Sequence, residues 1–416
     1  NDRVSILDGI RDEVGSSTRV VHAEGCPRVE AAYSTLPSEH LVTVEDGQPA
    51  SGLTGAYFDN IRLAGDPVLT RVDSSIDFRW TLSSPDPERL DGDFYSVRWT
   101  GKLRSPAGGP FRIGVEGNDG YRLYIDGTLV IDNWHRVSQR TLLADVRLEE
   151  GREYELRLEY LEPTGNGRVR LIWDRDVESD SDSTIREAVE LAARSDVAVV
   201  VVGIEEGEFR DRASLALPGR QEELIRRVAA TGRPTVVVLV GGSAVTMTRW
   251  LDRVSALLHA WYPGEAGGTA VGDVLFGDYN PAGRLPISFP FAEGQLPLVY
   301  HHKPTGRGDD YLDLTGQPMF PFGYGLSYTK FEYGDLRLEP RQISAGETAV
   351  AHLTVKNVGE IEGDEVVQLY VRDELASLAR PVAELKGFQR VRLRPGESRA
   401  LRFDIEPAML SMLDRE

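Results

Sequence analysis

Six apolar residues in a row, VAVVVV at 197–202, close on Gly203. A run this short, rich in β-branched residues and ended by glycine, predicts a strand covered on both faces, as in parallel sheets. The stretch LPGRQEELIRRV at 217–228 follows, with Leu224, Ile225 and Val228 at helical spacing and Pro218-Gly219 punctuating the helix start. Between strand and helix lies a long acidic loop, 204–217. In open α/β sheets ligands bind outside the carboxyl ends of the strands, so this loop lies where chemistry belongs. It carries Glu205, Glu206, Glu208 and Asp211, with Arg210 and Arg212 interleaved. Taken alone, such a charge cluster reads first as solvated surface.

A chain of 416 residues predicts two to four domains, and 41% hydrophobic residues suffice for proper cores. The net charge of −19 argues against nucleic acid and anionic membranes as partners, since both select basic patches. The basic residues are almost all arginine, which reads as coding bias. Cys26 is the one cysteine, so no intrachain disulfide forms, and it is expected to be a buried small hydrophobe. No apolar run reaches transmembrane length, and NDRVSILDGI at the start has no signal-peptide character.

Residues 1–50 read as the first part of an α/β domain. Leu7, Ile10 and Val14 share one helical face, Gly15 stops the helix, and TRVVHAEGC reads as a strand. Residues 51–176 change to short alternating strands with turn signals at Asn118-Asp119-Gly120 and Asp126-Gly127, which predicts an inserted β-sandwich. The α/β rhythm resumes over 177–295. A helix in STIREAVELAARSD is followed by the central strand, then PTVVVLVGG with Gly241-Gly242-Ser243 turning into a helix, and then the strand ALLHAWYPG. Gly267-Gly268 lacks a following Gly-Lys-Ser/Thr and reads as close helix packing, not as a phosphate loop. A Gly- and Pro-rich connector spans 296–329, and its adjacent His301 and His302 are not expected to ligate one metal. Residues 330–416 read as an immunoglobulin-like β-sandwich. The fold class is therefore multidomain α/β plus all-β: an open, mostly parallel α/β sandwich interrupted by a β-sandwich insert and followed by a second β-sandwich.

The pattern EFRDRASLALPG at 208–219 resembles the acid/base loop of family 3 glycoside hydrolases, and WYPGEAGGTAVGDVLFGDYNPAGRLPISFP at 261–290 resembles the same family. GNDGYRLYIDGTLVIDNW resembles the protective-antigen-type (PA-fourteen) β-sandwich, and PFGYGLSYT leads into what resembles a fibronectin type III-like domain short of its last strands. The resemblance covers the C-terminal half of such enzymes. It implies that a (β/α)₈ barrel with the nucleophilic aspartate belongs to a region not in this sequence, because no segment here offers eight βα units. It implies a retaining β-glycosidase, β-glucosidase-like, with Glu208 as acid/base and Glu206 in reserve. Asp211 and Arg212 would support the loop. No cofactor follows, because two carboxyl groups suffice for this chemistry. Calcium-binding lectins of the sandwich type use two adjacent aspartates; Asn118-Asp119 stands there, and a turn satisfying its own backbone is the preferred reading, with no metal expected. Trp134 reads either as a sugar-stacking aromatic or as a packing residue. The implied partners are a β-glycoside or glucosylated small molecule and the chain's own barrel region. A homodimer is left open, and a secreted bacterial protein is expected with a cytoplasmic one still open. The competing class is a non-catalytic carbohydrate-binding accessory module.

Overall fold

A computed structural model describes residues 3–27, 33–80, 83–137, 139–175, 181–207, 211–305 and 309–412. The chain divides into two compact units, one built from Asn1–Arg28, Ser181–Glu206 and Arg212–Glu416, the other from Val29–Asp180 and Gly207–Asp211.

In the first unit, the strands Ala198–Gly203, Thr235–Val240 and Ala256–Trp261 pair in that order and in parallel. Helices Ser181–Ala193 and Gln221–Ala229 supply Ile185, Leu224, Ile225 and Val228 to the same core as Val200, Val202, Val237 and Leu239. The expectation of a strand covered on both faces holds for one face only: Val200 and Val202 are buried, while Val197, Val199 and Val201 are 53%, 36% and 46% exposed. Successive side chains point to opposite faces, and only the face of Val200 and Val202 joins the core with helices Ser181–Ala193 and Gln221–Ala229; among the described residues the strand also lies at the sheet edge.

Helix Ile6–Val14 starts at Ser5, whose hydroxyl accepts from the Asp8 amide at 3.1 Å, and stops at Gly15 with φ 51°. It packs on helix Gly267–Phe276 through glycines: a Cβ on Gly9 would lie 2.0 Å from the Gly268 carbonyl oxygen. The expected strand in TRVVHAEGC does not form. That segment is irregular, and Gly25 sits so close to Leu224 that a Cβ would come within 2.8 Å of its side chain. Nor does Gly241-Gly242-Ser243 open a helix; the chain there turns without regular structure until the 3₁₀ turn Leu251–Arg253. The C-terminal part holds two antiparallel sheets, Phe331–Glu339, Ala349–Asn357 and Ser398–Ile405 in one, Gly363–Val371 and Glu384–Leu393 in the other. Val355, Val367, Val391 and Leu393 form the core between them.

The second unit is all antiparallel. Ser34–Thr35, Gly167–Trp173, Gly109–Gly117 and Arg140–Leu148 run in that order, with Asp77–Trp80 also on Gly167–Trp173. The larger sheet orders Thr128–Asn133, Gly120–Ile125, Glu153–Glu162, Tyr95–Arg104, Leu41–Glu45 and Gln48–Ser51, with Leu53–Phe58 and Leu69–Asp73 joining beside Tyr95–Arg104. Trp99, Trp173, Tyr57, Tyr121 and Phe111 are fully buried in the core. Residues 34–51, expected with the α/β part, belong here: Leu41 and Val42 pair with Leu103 and Lys102, and Ser34 with Trp173. Of the two turn signals, Asp126-Gly127 closes a hairpin with φ 47° and 75°. Asn118-Asp119 does not, because the strands on either side of it belong to different sheets.

Candidate functional site

The site is built at the carboxyl ends of the three parallel strands. Gly203 ends the first, and a Cβ there would lie 2.3 Å from the Val240 carbonyl oxygen of the neighbouring strand. Gln221, 2% exposed, ties this strand end to the helix start. Its side chain accepts from the Gly203 amide at 2.7 Å and donates to the Gly203 and Pro218 carbonyls at 2.9 and 3.0 Å. The loop between them is thereby closed at its base.

One carboxylate gathers the loops above. Glu206, after the first strand, accepts from the Gly242 amide at 2.8 Å and from the Ser243 hydroxyl, both after the second strand. It also accepts from the Tyr262 hydroxyl at 2.9 Å, after the third. Arg212 lies 3.7 Å from Glu206 and donates to Ser243 Oγ at 2.9 Å and to the Ser214 carbonyl at 3.2 Å. The descending leg is held as well: the Leu215 amide and Ser214 hydroxyl donate to Glu293 at 2.7 and 3.0 Å, and the Thr246 amide donates to the Leu215 carbonyl at 2.9 Å. Burial alone would raise the Glu206 carboxyl, but the bonds from Ser243, Tyr262 and the Gly242 amide, with Arg212 beside them, hold it below its ordinary value. A carboxylate so occupied stays ionised and is poorly suited to donate a proton.

Glu208 and Arg210 lie outside the described residues. Arg212 is half-buried beside Glu206 and Ser243, while Asp211 is exposed. Gly242, Ser243, Tyr262 and Glu293 were missed by sequence reasoning. The only available signal was their place just after strands or before the connector, since nothing in Gly-Gly-Ser or Trp-Tyr-Pro marks a carboxylate ligand. Tyr262 is aimed by an irregularity: the pairing of Thr235–Val240 with Ala256–Trp261 slips between Leu239 and Val240, and Trp261 takes φ 53°. Beneath it His259, half-buried against Trp261 and Phe289, is pushed below its usual range by burial.

In the sandwich unit, Trp134 is half-buried with the Arg122 guanidinium 4.7 Å from its ring centre. Asp119, at φ 59°, is 3% exposed; its carbonyl accepts from Asn133 at 3.1 Å, and Asn118 donates to the Asn166 carbonyl. His302 meets the Val299 carbonyl and Asp309, at 3.1 and 3.3 Å. Among the described residues no group of three or more His, Cys, Asp or Glu is placed to hold a metal, and no helix is long and apolar enough to cross a membrane.

The glycosyl hydrolase family 3 C-terminal domain profile matches residues 1–328, and a fibronectin type III-like domain profile matches 365–416. A probable β-glucosidase J of Aspergillus fumigatus is 35% identical across 97% of this chain and 51% of its own length. The periplasmic β-glucosidase of Salmonella typhimurium is 40% identical across 56% of this chain and 32% of its own length. The crystal structure of a β-glucosidase from Kluyveromyces marxianus in complex with glucose superposes with TM-score 0.60 at 28% identity, covering 97% of this chain and 51% of that one. DesR, a β-glucosidase from Streptomyces venezuelae solved with D-glucose, gives TM-score 0.60 at 26% identity over 99% of this chain and 49% of that one. The chain thus spans from a third to about half the length of these relatives. On the strength of the profile match over residues 1–328, the chain belongs to glycosyl hydrolase family 3.

Proposed function

We propose that this chain is the acid/base-bearing half of a retaining β-glycosidase acting on terminal non-reducing β-D-glycosyl residues. The observation that carries the reading is the bracing of Glu206 and Arg212, the residues that flank 207–211. Residues 207–211 leave from Glu206 and return at Arg212, two side chains 3.7 Å apart above the carboxyl end of a parallel sheet. Glu208 lies between them in sequence, three residues before Asp211-Arg212. A retaining enzyme needs a second carboxyl group about 5–5.5 Å from the first, as nucleophile. We assign it to an aspartate of the barrel region that lies outside this sequence. Glu208 protonates the leaving oxygen, the sugar passes to the nucleophile, and Glu208 then takes the proton of the incoming water. β-Glucosides are the favoured substrates, in line with the names and the glucose complexes of the relatives. Export from the cytoplasm is proposed likewise, on the likeness to a periplasmic relative.

The test is Glu208→Ala in the enzyme that joins this chain to its barrel. Turnover of a glucoside with a poor leaving group should fall about 10²–10⁴-fold, the usual value of general acid/base catalysis. An activated aryl glucoside, which needs little protonation, should lose less in its first step, and azide should restore part of its turnover. A variant with wild-type rates on both substrates would remove the assignment and favour a non-catalytic carbohydrate-binding role.

A further inference from the structure

We propose that Glu206 is a positioning residue: its carboxylate ties Glu206 and Arg212, which flank Glu208 in sequence, to the turns after three parallel strands, and it serves the reaction through Glu208. The inference rests on the acid/base reading of Glu208. Its own support is geometric. Three consecutive parallel strands each send one turn to the same carboxylate: Glu206 itself follows the first, Gly242 and Ser243 the second, Tyr262 the third. Ser243 also receives Arg212, so the departing and returning roots share one hydroxyl. A Cβ on Gly242 would lie 2.7 Å from Glu206 Oε2 and 2.7 Å from the Tyr262 ring, which leaves that amide free to donate only because no side chain intervenes.

Stability alone does not account for this arrangement. Ion pairs with this much solvent access contribute about 0–1 kcal/mol. The chain nevertheless accepts a non-glycine residue at φ 53°, Trp261, directly before Tyr262. Backbone of that kind persists where the surroundings enforce it, and it clusters at functional sites. Here it aims the Tyr262 hydroxyl at Glu206. Misplacing a catalytic group by about 1 Å from a distance costs about 10²-fold, so a loose root should show in rate before it shows in binding.

The experiment uses the same barrel-containing enzyme with Glu206→Ala, Tyr262→Phe, Ser243→Ala and Glu208→Ala. For Glu206→Ala, kcat on a poor-leaving-group glucoside should drop about 10–100-fold with KM little changed, and azide should not restore it. Tyr262→Phe removes one bond from an exposed ring without threatening the fold; it should lose less, in the same direction, as should Ser243→Ala. Azide rescue of Glu206→Ala would make Glu206 itself the acid/base and overturn both readings. Wild-type kinetics for Glu206→Ala and Tyr262→Phe, beside a collapsed and azide-rescued Glu208→Ala, would overturn the positioning role and leave the acid/base intact. Wild-type kinetics for Glu208→Ala would remove the reading on which this one rests.

Discussion

At the scale of single residues, environment separates carboxyl groups that look alike in sequence. Glu206 is held low by the bonds it accepts, whereas in the sandwich unit burial pushes Glu162 up to about 7 and Asp119 up to about 6. Glu162 is fully buried and accepts from the Tyr160 hydroxyl at 2.7 Å; the Asp119 carboxyl also raises it, and Asp119 has Arg136 3.8 Å away. These folded values lie above the ordinary ones, so between about pH 4 and 7 the folded state binds more protons than the unfolded state. The stability they contribute is complete below the ordinary carboxyl range and is lost as pH rises through the folded values. Thermal unfolding of the sandwich should therefore move to lower temperature from pH 5 to pH 8. Glu162→Gln should flatten that slope relative to wild type, and an unchanged slope would reject the assignment. A Leu or Val pattern could not have revealed this pair, because three strands, Gly120–Ile125, Thr128–Asn133 and Arg140–Leu148, lie between Asp119 and the strand that Glu162 ends, and the two meet only through pairing.

Among the elements, the glycine contact between helices Ile6–Val14 and Gly267–Phe276 is the most exacting. A Cβ on Gly268 would lie 2.0 Å from the Ser5 carbonyl oxygen and 2.6 Å from that of Val4, backbone atoms that cannot swing aside. Gly268→Ala should destabilise by at least the 1–3 kcal/mol that overpacking usually costs, roughly, as read in chemical denaturation, while Gly277→Ala at the helix end tests backbone strain alone at φ 92°. The sequence already pointed to close packing at Gly267-Gly268, and to the three strands and the helices flanking the first of them, though not to the irregular chain after Gly241, because apolar periodicity is a local signal. It misread residues 34–51 because short strands such as Ser34–Thr35 acquire their identity from distant partners, here Trp173 and Ile172. It took VAVVVV as covered on both sides because an unbroken apolar run does not show which face the rest of the chain covers. The network at Glu206 was illegible for a related reason: its donors come from three turns, joined only by sheet order.

Across the whole molecule, charge and length set what the chain can do alone. A net charge of −19 disfavours nucleic acid and anionic surfaces and leaves a small neutral glycoside as a compatible ligand. Relatives of which this chain spans 32–51% carry further polypeptide, and nothing in this sequence supplies eight βα units. One member of a two-carboxylate pair cannot carry out double displacement. On the proposed reading the nucleophile lies outside this sequence, so no glycosyl-enzyme would form on the chain alone and Glu208 would have only the weak task of protonating an unassisted leaving group. The purified chain, its mass verified, should therefore fail to release an aryl alcohol from an aryl β-glucoside above background. The same chain joined to its barrel should turn over with a burst or azide-sensitive phase that Glu208→Ala abolishes or alters. Robust turnover by the chain alone would mean that the second carboxylate is already present here, and Asp211 would be the first to replace, being on the same loop and exposed.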